Sequence, residues 1–174
     1  MTLNPPVEQQ FLDLIQGNRP RILKVCRVYA WNVTDQDDLY QEILFQIWRA
    51  LPGLKESTHA NTWLYRIALN TSISFVRRRT ARGGQALLLD HGQLTRQIES
   101  GQTRDDGAEE RLARLYDAIA QLNELEKALV TLFLEDFPYD EMAEVLGISA
   151  SHVGVLLHRA KKKLLTLMQE AEHE

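Results

Sequence analysis

The chain has 174 residues, of which 44% are hydrophobic and 25% charged, a balance that is ordinary for a folded globular protein. Its low glycine and proline counts argue against a turn-rich all-β fold, so we expect an all-α protein. Because it has one cysteine, Cys26, and no common Cys/His metal spacing, we expect no disulfide within the chain, no metal and no other cofactor. The start of the chain lacks a signal-peptide pattern and no apolar run is long enough for a membrane span, which predicts a cytoplasmic protein without direct membrane insertion.

The net charge of −4 is at first sight unfavourable for a nucleic-acid partner, but the charge is unevenly distributed. Residues 1–80 carry ten Lys/Arg against seven Asp/Glu, residues 81–110 three against six, and residues 111–174 seven against eleven. The basic residues cluster at Arg77–Arg79 and between Arg159 and Lys163. We therefore expect local basic surfaces on an otherwise acidic protein.

Apolar residues in the first thirty positions recur at helical spacing and predict a helical pair that ends at Trp31. Residues 17–20 offer a break between the two helices, in which Asn18 acts as an N-cap and Pro20 lies in the first turn of the second helix.

Two further helices are expected before the middle of the chain. One should begin with Thr34 as its N-cap and run to the stop at Pro52–Gly53, and the other should begin near Asn61 or Thr62 and end in the arginine cluster.

The segment from 81 to 108 is rich in glycine and polar residues and is interrupted only by the apolar run Ala86–Leu89. We interpret it as a flexible linker between two small helical domains, residues 1–80 and residues 109–174. Beyond it, apolar spacing predicts one helix through Leu112 and Ile119 and another through Leu125 and Leu132.

The end of the chain has the pattern of a helix-turn-helix. A short helix from Tyr139 should end at Gly147 in a left-handed cap, and a second helix should be capped by Ser149 or Ser151. We also expect Ala143 and Gly147 to allow the two helices to cross closely. The second helix should bury Val153, Leu157, Ala160, Leu164 and either Leu167 or Met168.

The opposite face of this last helix has the composition of a face that enters a DNA major groove. Its candidate DNA-binding residues are Ser151, His152, Val155, Arg159, Lys162 and Lys163. The alternative is an ordinary helical hairpin with a solvated charged side.

The helix after Thr34 has an unusual outward face. Its apolar side carries Leu39, Ile43, Leu44, Ile47, Trp48 and Leu51, and its outer side carries Asp38, Gln41, Glu42, Phe45 and Arg49. A large aromatic residue such as Phe45 within a polar stripe is typical of a protein-binding hot spot. A single exposed aromatic residue is also common on surfaces, so both interpretations stay open.

The third helix aligns Arg66, Asn70, Ile73 and Arg77 on one side. Arginine and asparagine can hydrogen-bond base edges while a second arginine holds phosphate. The preceding loop, Lys55 to Ala60, could surround an unstacked base. A solvated helix face is the alternative.

The order of these motifs resembles the extracytoplasmic-function sigma factors of bacterial RNA polymerase. The stretch from Asp35 to Trp48 resembles the core-binding segment of region two, and the stretch from Thr62 to Asn70, continuing into Arg77–Arg79, resembles its −10 segment. The helix-turn-helix that ends at Leu164 resembles region four, which reads the −35 element.

This resemblance implies a promoter-reading subunit with core RNA polymerase and promoter DNA as partners, together with an anti-sigma factor. It also implies that Asp38, Gln41, Glu42 and Phe45 dock on polymerase, and that Asn70 with the loop before Trp63 engages the −10 strand. Arg159 and the lysines after it would hold the −35 duplex.

One departure concerns the recognition helix, in which Gly154-Val155-Leu156 replaces the basic-Ser-basic run that is common in the family. We therefore expect weak −35 binding, with Leu156 on the outer flank of the helix. A second hypothesis is a helix-turn-helix regulator that acts independently of polymerase. An enzyme is disfavoured because no nucleophile elbow, phosphate loop or metal constellation occurs, and no small-molecule substrate is implied.

Overall fold

The computed structural model describes residues 6–55, 59–82 and 106–170, and these residues form helices without a strand. The α-helices are α1 (Val7–Tyr29), α2 (Val33–Ala50), α3 (Ala60–Ala81), α4 (Asp106–Ala120), α5 (Glu124–Leu134), α6 (Tyr139–Leu146) and α7 (Ala150–Glu170). A short 3-10 helix at Leu51–Gly53 follows α2 at the predicted stop. The all-α prediction is confirmed.

The predicted break in the first helix is wrong, because α1 is continuous and Pro20 lies inside it. Asn18 is not a cap: its side-chain amide donates to the carbonyl of Leu14 at 2.8 Å. A proline inside a helix removes one hydrogen bond and costs about 3 kcal/mol. Ile22 and Cys26, just beyond it, are fully buried, and this continuous apolar packing offsets the cost.

The N-cap of α2 lies two residues before the predicted one. Asn32, rather than Thr34, is the N-cap, and its side-chain oxygen accepts a hydrogen bond from the backbone N–H of Asp35 at 2.8 Å. The side-chain amide of Asn32 donates in turn to the Asp35 carboxylate at 3.0 Å. The two-way contact explains why the earlier residue is preferred as the cap.

The first domain is a three-helix unit in which α1, α2 and α3 pack pairwise. Its core is made of fully buried side chains from all three helices: Ile22, Cys26, Leu39, Ile43, Ile47, Leu64 and Ala68.

The second domain packs α4, α5 and α6 with α7. A capping box begins α5, where Asn123 and Glu126 each accept from the other's backbone N–H at 2.9 Å. Val153, Leu157 and Ala160 of α7 are fully buried, as predicted.

The turn of the helix-turn-helix has the predicted geometry. Gly147 adopts φ +68°, and Ser149 caps α7 by accepting from the N–H of His152 at 3.2 Å. The expected close crossing at Gly147 is wrong, because a Cβ built there would meet no atom within 4 Å. The positive φ, rather than space, therefore requires glycine at this position.

The two domains pack against each other in this structure. Helix α1 contacts α4 and α5, and α3 contacts α6. The Tyr65 ring meets Phe137 edge to face at 4.9 Å between centroids, and the Tyr29 hydroxyl donates to the carbonyl of Glu124 at 3.1 Å. The predicted linker lies mostly at residues 83–105, outside the described residues.

Candidate polymerase and DNA interfaces

The outer face of α2 is open to solvent at four of the five predicted positions. Asp38, Gln41, Phe45 and Arg49 are exposed, and the Arg49 guanidinium lies 5.6 Å from the centroid of the Phe45 ring. Phe45 is 56% exposed, which is high for a phenylalanine in mid-helix. Glu42 is half-buried and forms an ion pair with Arg78 of α3 at 2.5 Å, so it faces the neighbouring helix.

Trp48 adds to this surface, contrary to its predicted place on the apolar side. It is 40% exposed and packs edge to face on Phe11 of α1, with the ring centroids 5.2 Å apart. The spacing of three residues between Phe45 and Trp48 was the sequence signal for this placement, because residues i and i+3 are neighbours on a helix surface. Phe45 and Trp48 together therefore form an exposed aromatic patch on α2.

The predicted face of α3 is open only in part. Arg66, Asn70 and Arg77 are exposed, whereas Ile73 is half-buried and packs against the core. The predicted base-binding loop before α3 includes residues 56–58, which lie outside the described residues.

Both arginines of this face contact the second domain. The Arg66 guanidinium donates to the carbonyl of Glu144 at 2.6 Å and lies 3.7 Å from the carboxylate of the same residue. Arg77 Nε lies 3.2 Å from the Glu124 carboxylate. The face therefore has an acidic partner from the other domain at each end.

Arg78 and Arg79 have a different role from Arg77 although they are adjacent to it. Arg78 pairs with Glu42, and Arg79 pairs with Asp35. Both pairs join α3 to α2, so these arginines stabilise the first domain rather than face the second.

Further polar contacts join the domains next to α3. Glu135 has a side chain only 13% exposed, and it pairs with Lys24 at 2.7 Å and with Arg21 at 3.7 Å. The Thr62 hydroxyl donates to the Glu141 carboxylate at 3.3 Å. These partners were not predicted; the only signal in the sequence was the surplus of bases in the first segment and of acids in the last.

Lys127 is a buried base at the same boundary. Its ammonium lies 5.9 Å from the Tyr29 ring centroid and 5.6 Å from that of Trp31. Burial lowers the pKa of Lys127, and the nearby Glu124 carboxylate opposes that shift. The two rings offer the charge a cation–π environment in place of water.

The outer face of α7 is open, unlike that of α3. Ser151, His152, Val155, Arg159 and Lys162 are exposed. Lys163 lies at the edge of this face and is turned towards α5, where it pairs with Glu126 at 3.0 Å. The structure thus presents five of the six predicted residues as one exposed face.

Leu156 of the departing Gly154-Val155-Leu156 run faces inwards, and Gly154 lies at the flank of α7 beside Tyr139. A Cβ at Gly154 would lie 3.5 Å from the Tyr139 ring, an ordinary contact distance. Leu156 is half-buried against the core, so its predicted place on the outer flank is wrong. The apolar stripe of a packed helix is wider than the row through Val153 and Leu157, and Leu156 lies within it.

The described part of the chain holds no group of three His, Cys, Asp or Glu side chains suited to a metal ion. Over the same residues, no helix has both the length and the apolar character needed to cross a membrane.

A pair of helical domains, of which the second ends in a helix-turn-helix with an exposed basic face, defines a class of DNA-binding transcription proteins. Comparison with family models identifies one family within this class. Residues 14–82 match the model of sigma-70 region 2, and residues 112–164 match the model of sigma-70 region 4.

Known proteins agree with these matches. The RNA polymerase sigma factor YlaC of Bacillus subtilis is 30% identical over 169 residues, which cover 93% of this chain and 94% of that protein. The RNA polymerase sigma factor NccH of Alcaligenes xylosoxydans xylosoxydans is 26% identical over 93% of this chain and 88% of its own length. The sigma factor SigE of Mycolicibacterium smegmatis, of the extracytoplasmic-function group, is 27% identical over 87% of this chain and 59% of its own length.

Two solved structures have the same fold. CnrH in complex with the cytosolic domain of CnrY matches 94% of this chain and 90% of its own with a TM-score of 0.67 and 22% identity. The sigma factor RpoE from Bartonella quintana in complex with the anti-sigma factor NepR matches 93% of this chain and 96% of its own with a TM-score of 0.67 and 17% identity.

The chain therefore belongs to the sigma-70 family of RNA polymerase sigma factors, in its extracytoplasmic-function group. As a sigma factor it binds core RNA polymerase and directs promoter-specific initiation of transcription.

Proposed function

We propose that this sigma factor docks on core polymerase through the outer face of α2. The observation that carries this is the exposed Phe45–Trp48 patch, with Gln41 and Arg49 beside it. Buried aromatic area surrounded by polar groups supplies most of the energy of many protein interfaces. Asp38 would contribute at the rim, and Glu42 would act mainly by holding α2 to α3 through Arg78.

The α3 face is proposed to read the −10 element. Asn70 would hydrogen-bond an unstacked base, and Arg66 and Arg77 would hold the strand by its phosphates. Ile73, being half-buried, would support the face through packing and offer only an apolar edge to DNA.

The α7 face is proposed to hold the −35 duplex. Arg159 and Lys162 would neutralise phosphates, and Ser151, His152 and Val155 would approach base edges. With Gly154 at the flank of α7 and Leu156 packed against the core, this face carries few cations. We therefore expect weak duplex affinity without polymerase.

The division into a −10 domain up to residue 80, a linker at 81–108 and a −35 domain from residue 109 is part of this proposal. An anti-sigma factor is proposed as a further partner, on the ground that a solved structure of the same fold holds one. We place the protein in the cytoplasm, where RNA polymerase acts, and assign it no catalytic reaction, since polymerase performs the chemistry.

The second hypothesis, a DNA-binding regulator independent of polymerase, is disfavoured because the chain matches both sigma-70 regions. Transcription in vitro with purified core polymerase and a genomic promoter library separates the two. Our proposal predicts specific transcripts from a subset of promoters only when the chain is added. Specific duplex binding without any such transcript would instead support the independent regulator.

A further inference from the structure

A cavity of about 160 Å³ lies where α1 of the first domain meets α4 and α5 of the second. Its most deeply buried lining residues come one from each helix and form its floor: Val28, Ile119 and Thr131. The Thr131 hydroxyl donates to the carbonyl of Lys127 at 2.7 Å, so its hydrogen is used within α5. The floor is therefore apolar and requires no hydrogen bond from a molecule that occupies it.

The wall and the mouth of the cavity are apolar as well. Leu115 and Tyr116 of α4 are half-buried, and the Arg27 guanidinium lies 4.1 Å from the centroid of the Tyr116 ring. This cation–π contact holds the ring in place as part of the wall. Leu112 and Leu134 line the cavity too but are exposed, so they lie at its mouth. Exposed apolar residues grouped around an apolar cavity are typical of a ligand-binding site.

The charged groups of the cavity are the Lys24 ammonium and the Glu135 carboxylate, which pair at 2.7 Å. Both oxygens of Glu135 are engaged, because Oε1 pairs with Lys24 and Oε2 lies 3.7 Å from the Arg21 guanidinium. Lys24 is exposed and uses one of its three N–H donors for Glu135, so it can donate to a further group. Two bases around one acid also make this end of the cavity positive. The polar group that fits here is an anionic hydrogen-bond acceptor.

We propose that this cavity binds a small carboxylic acid with an apolar body, of the class of the short arylalkanoates. The ring would lie against Val28, Ile119 and Leu115, and the carboxylate would accept a hydrogen bond from Lys24. An apolar cavity of about 150 Å³ holds one benzene ring, so a single ring fills the cavity and a short chain reaches its mouth. The site is separate from the outer faces of α2, α3 and α7, and the proposal does not depend on their assignments.

The carboxylate distinguishes this class from other molecules of the same shape. A neutral amide would make an ordinary hydrogen bond to Lys24, whereas a bond between two charged groups is roughly twice as strong. An amine would place a like charge beside Lys24 and would find both oxygens of Glu135 already paired. The expected order of affinity is therefore acid, then amide, then amine.

The test titrates the full chain at neutral pH with three probes of one shape: hydrocinnamate, hydrocinnamamide and phenylpropylamine. Isothermal titration calorimetry measures their affinities. We expect saturable one-to-one binding of the acid and about tenfold weaker binding of the amide, because one charge-assisted hydrogen bond is replaced by a neutral one. The amine should bind more weakly than the amide.

Two kinds of variant assign the site. Lys24→Met removes the ammonium and keeps an apolar side chain, so it should lower the affinity for the acid about tenfold, to that for the amide. Arg19→Met, which removes a cation from an exposed position of the same helix, is the matched control and should bind as the wild type does. Leu115→Trp fills the cavity and should abolish binding of acid and amide alike. Leu112→Trp, at the exposed mouth, gives the same comparison if circular dichroism shows that Leu115→Trp does not fold.

A folded wild-type chain that shows no saturable binding of hydrocinnamate overturns the proposal. Undiminished binding of the acid by a folded Trp variant overturns it too, because the acid then binds at another place. Equal affinities for the acid and the amine, or equal affinities of Lys24→Met and Arg19→Met for the acid, show that no carboxylate pairs with Lys24 and overturn the proposed ligand class.

Discussion

Helices α3 and α7 each carry an arginine-bearing face, one in each domain, but the two faces differ in what contacts them. On α3, Arg66 and Arg77 are paired with glutamates of the other domain. On α7, Arg159 and Lys162 are exposed, and Lys163 pairs within its own domain. The difference shows that the availability of a basic face depends on the charge of what packs beside it as much as on its own residues.

The faces of α3 and α7 also differ in how deeply the residues beside them are buried. The face of α3 lies against a domain boundary at which Tyr29 and Tyr65 are buried, whereas α7 turns its apolar stripe inwards and leaves the opposite face to solvent. Residues on the basic face of α7 can therefore be changed without disturbing the packing of the protein, whereas residues on the face of α3 cannot.

The largest effect on stability should follow from truncating a side chain on the buried face of α7. Leu157→Ala removes a fully buried side chain and should lower the free energy of unfolding by about 2–5 kcal/mol. Val155→Ala, on the outer face and 50% exposed, should change it by about 0.5 kcal/mol or less. Urea unfolding followed by circular dichroism measures both; similar losses would show that the outer face is packed after all.

The next effect concerns the α2 surface, which is open like that of α7. Phe45→Ala with Gln41→Ala should weaken binding to core polymerase by about 2 kcal/mol or more and leave helical content unchanged. Leu12→Ala, on α1 and 57% exposed, is the matched control and should bind as the wild type does. Binding is measured by fluorescence titration, and an unchanged affinity of the folded double variant would contradict the assignment of α2.

A smaller effect separates the residues of α3 from one another. Asn70→Ala should reduce transcription at particular −10 sequences, with about 1–3 kcal/mol lost at those promoters, because base contacts specify sequence. Arg77→Ala should reduce transcription at all promoters, because phosphate contacts only position the strand. Transcription from a library of −10 variants distinguishes them, and equal losses across the library for both variants would reject this division.

The smallest effect is expected on α7. Gly154→Lys adds a cation where a Cβ would meet the Tyr139 ring at an ordinary distance. It should tighten duplex binding modestly and steepen the dependence of log K on log salt by about 0.9 if the new ammonium reaches a phosphate. Leu156→Arg, in contrast, should lower the stability of the second domain, because Leu156 packs against the core. A steep salt dependence in the wild-type chain would show that Arg159 and the lysines already suffice.

Local chemistry explains what the sequence could predict. The left-handed cap at Gly147, the buried row through Val153 and Leu157 and the outward position of Phe45 all follow from spacing and turn preferences within one or two helices.

Tertiary contacts explain what it could not. Pro20 stays inside α1 because apolar residues on both sides of it pack in or against one core, and Leu156 packs inwards because the apolar stripe of α7 is wide. The contacts of Glu124, Glu135 and Glu144 with the first domain depend on how the two domains dock, and no local sequence pattern reports that.

The claim that α3 is covered by the second domain is tested most directly by a distance between the domains in solution. Spin labels at Gln16→Cys on α1 and Asp140→Cys on α6, both exposed positions, report it by electron–electron double resonance. Native Cys26 should stay unlabelled, because burial raises the pKa of its thiol to about 12. We predict one narrow distance for the free chain, and a longer one once core polymerase and promoter DNA are bound. A broad distribution in the free chain, or the same narrow distance in the promoter complex, would contradict it.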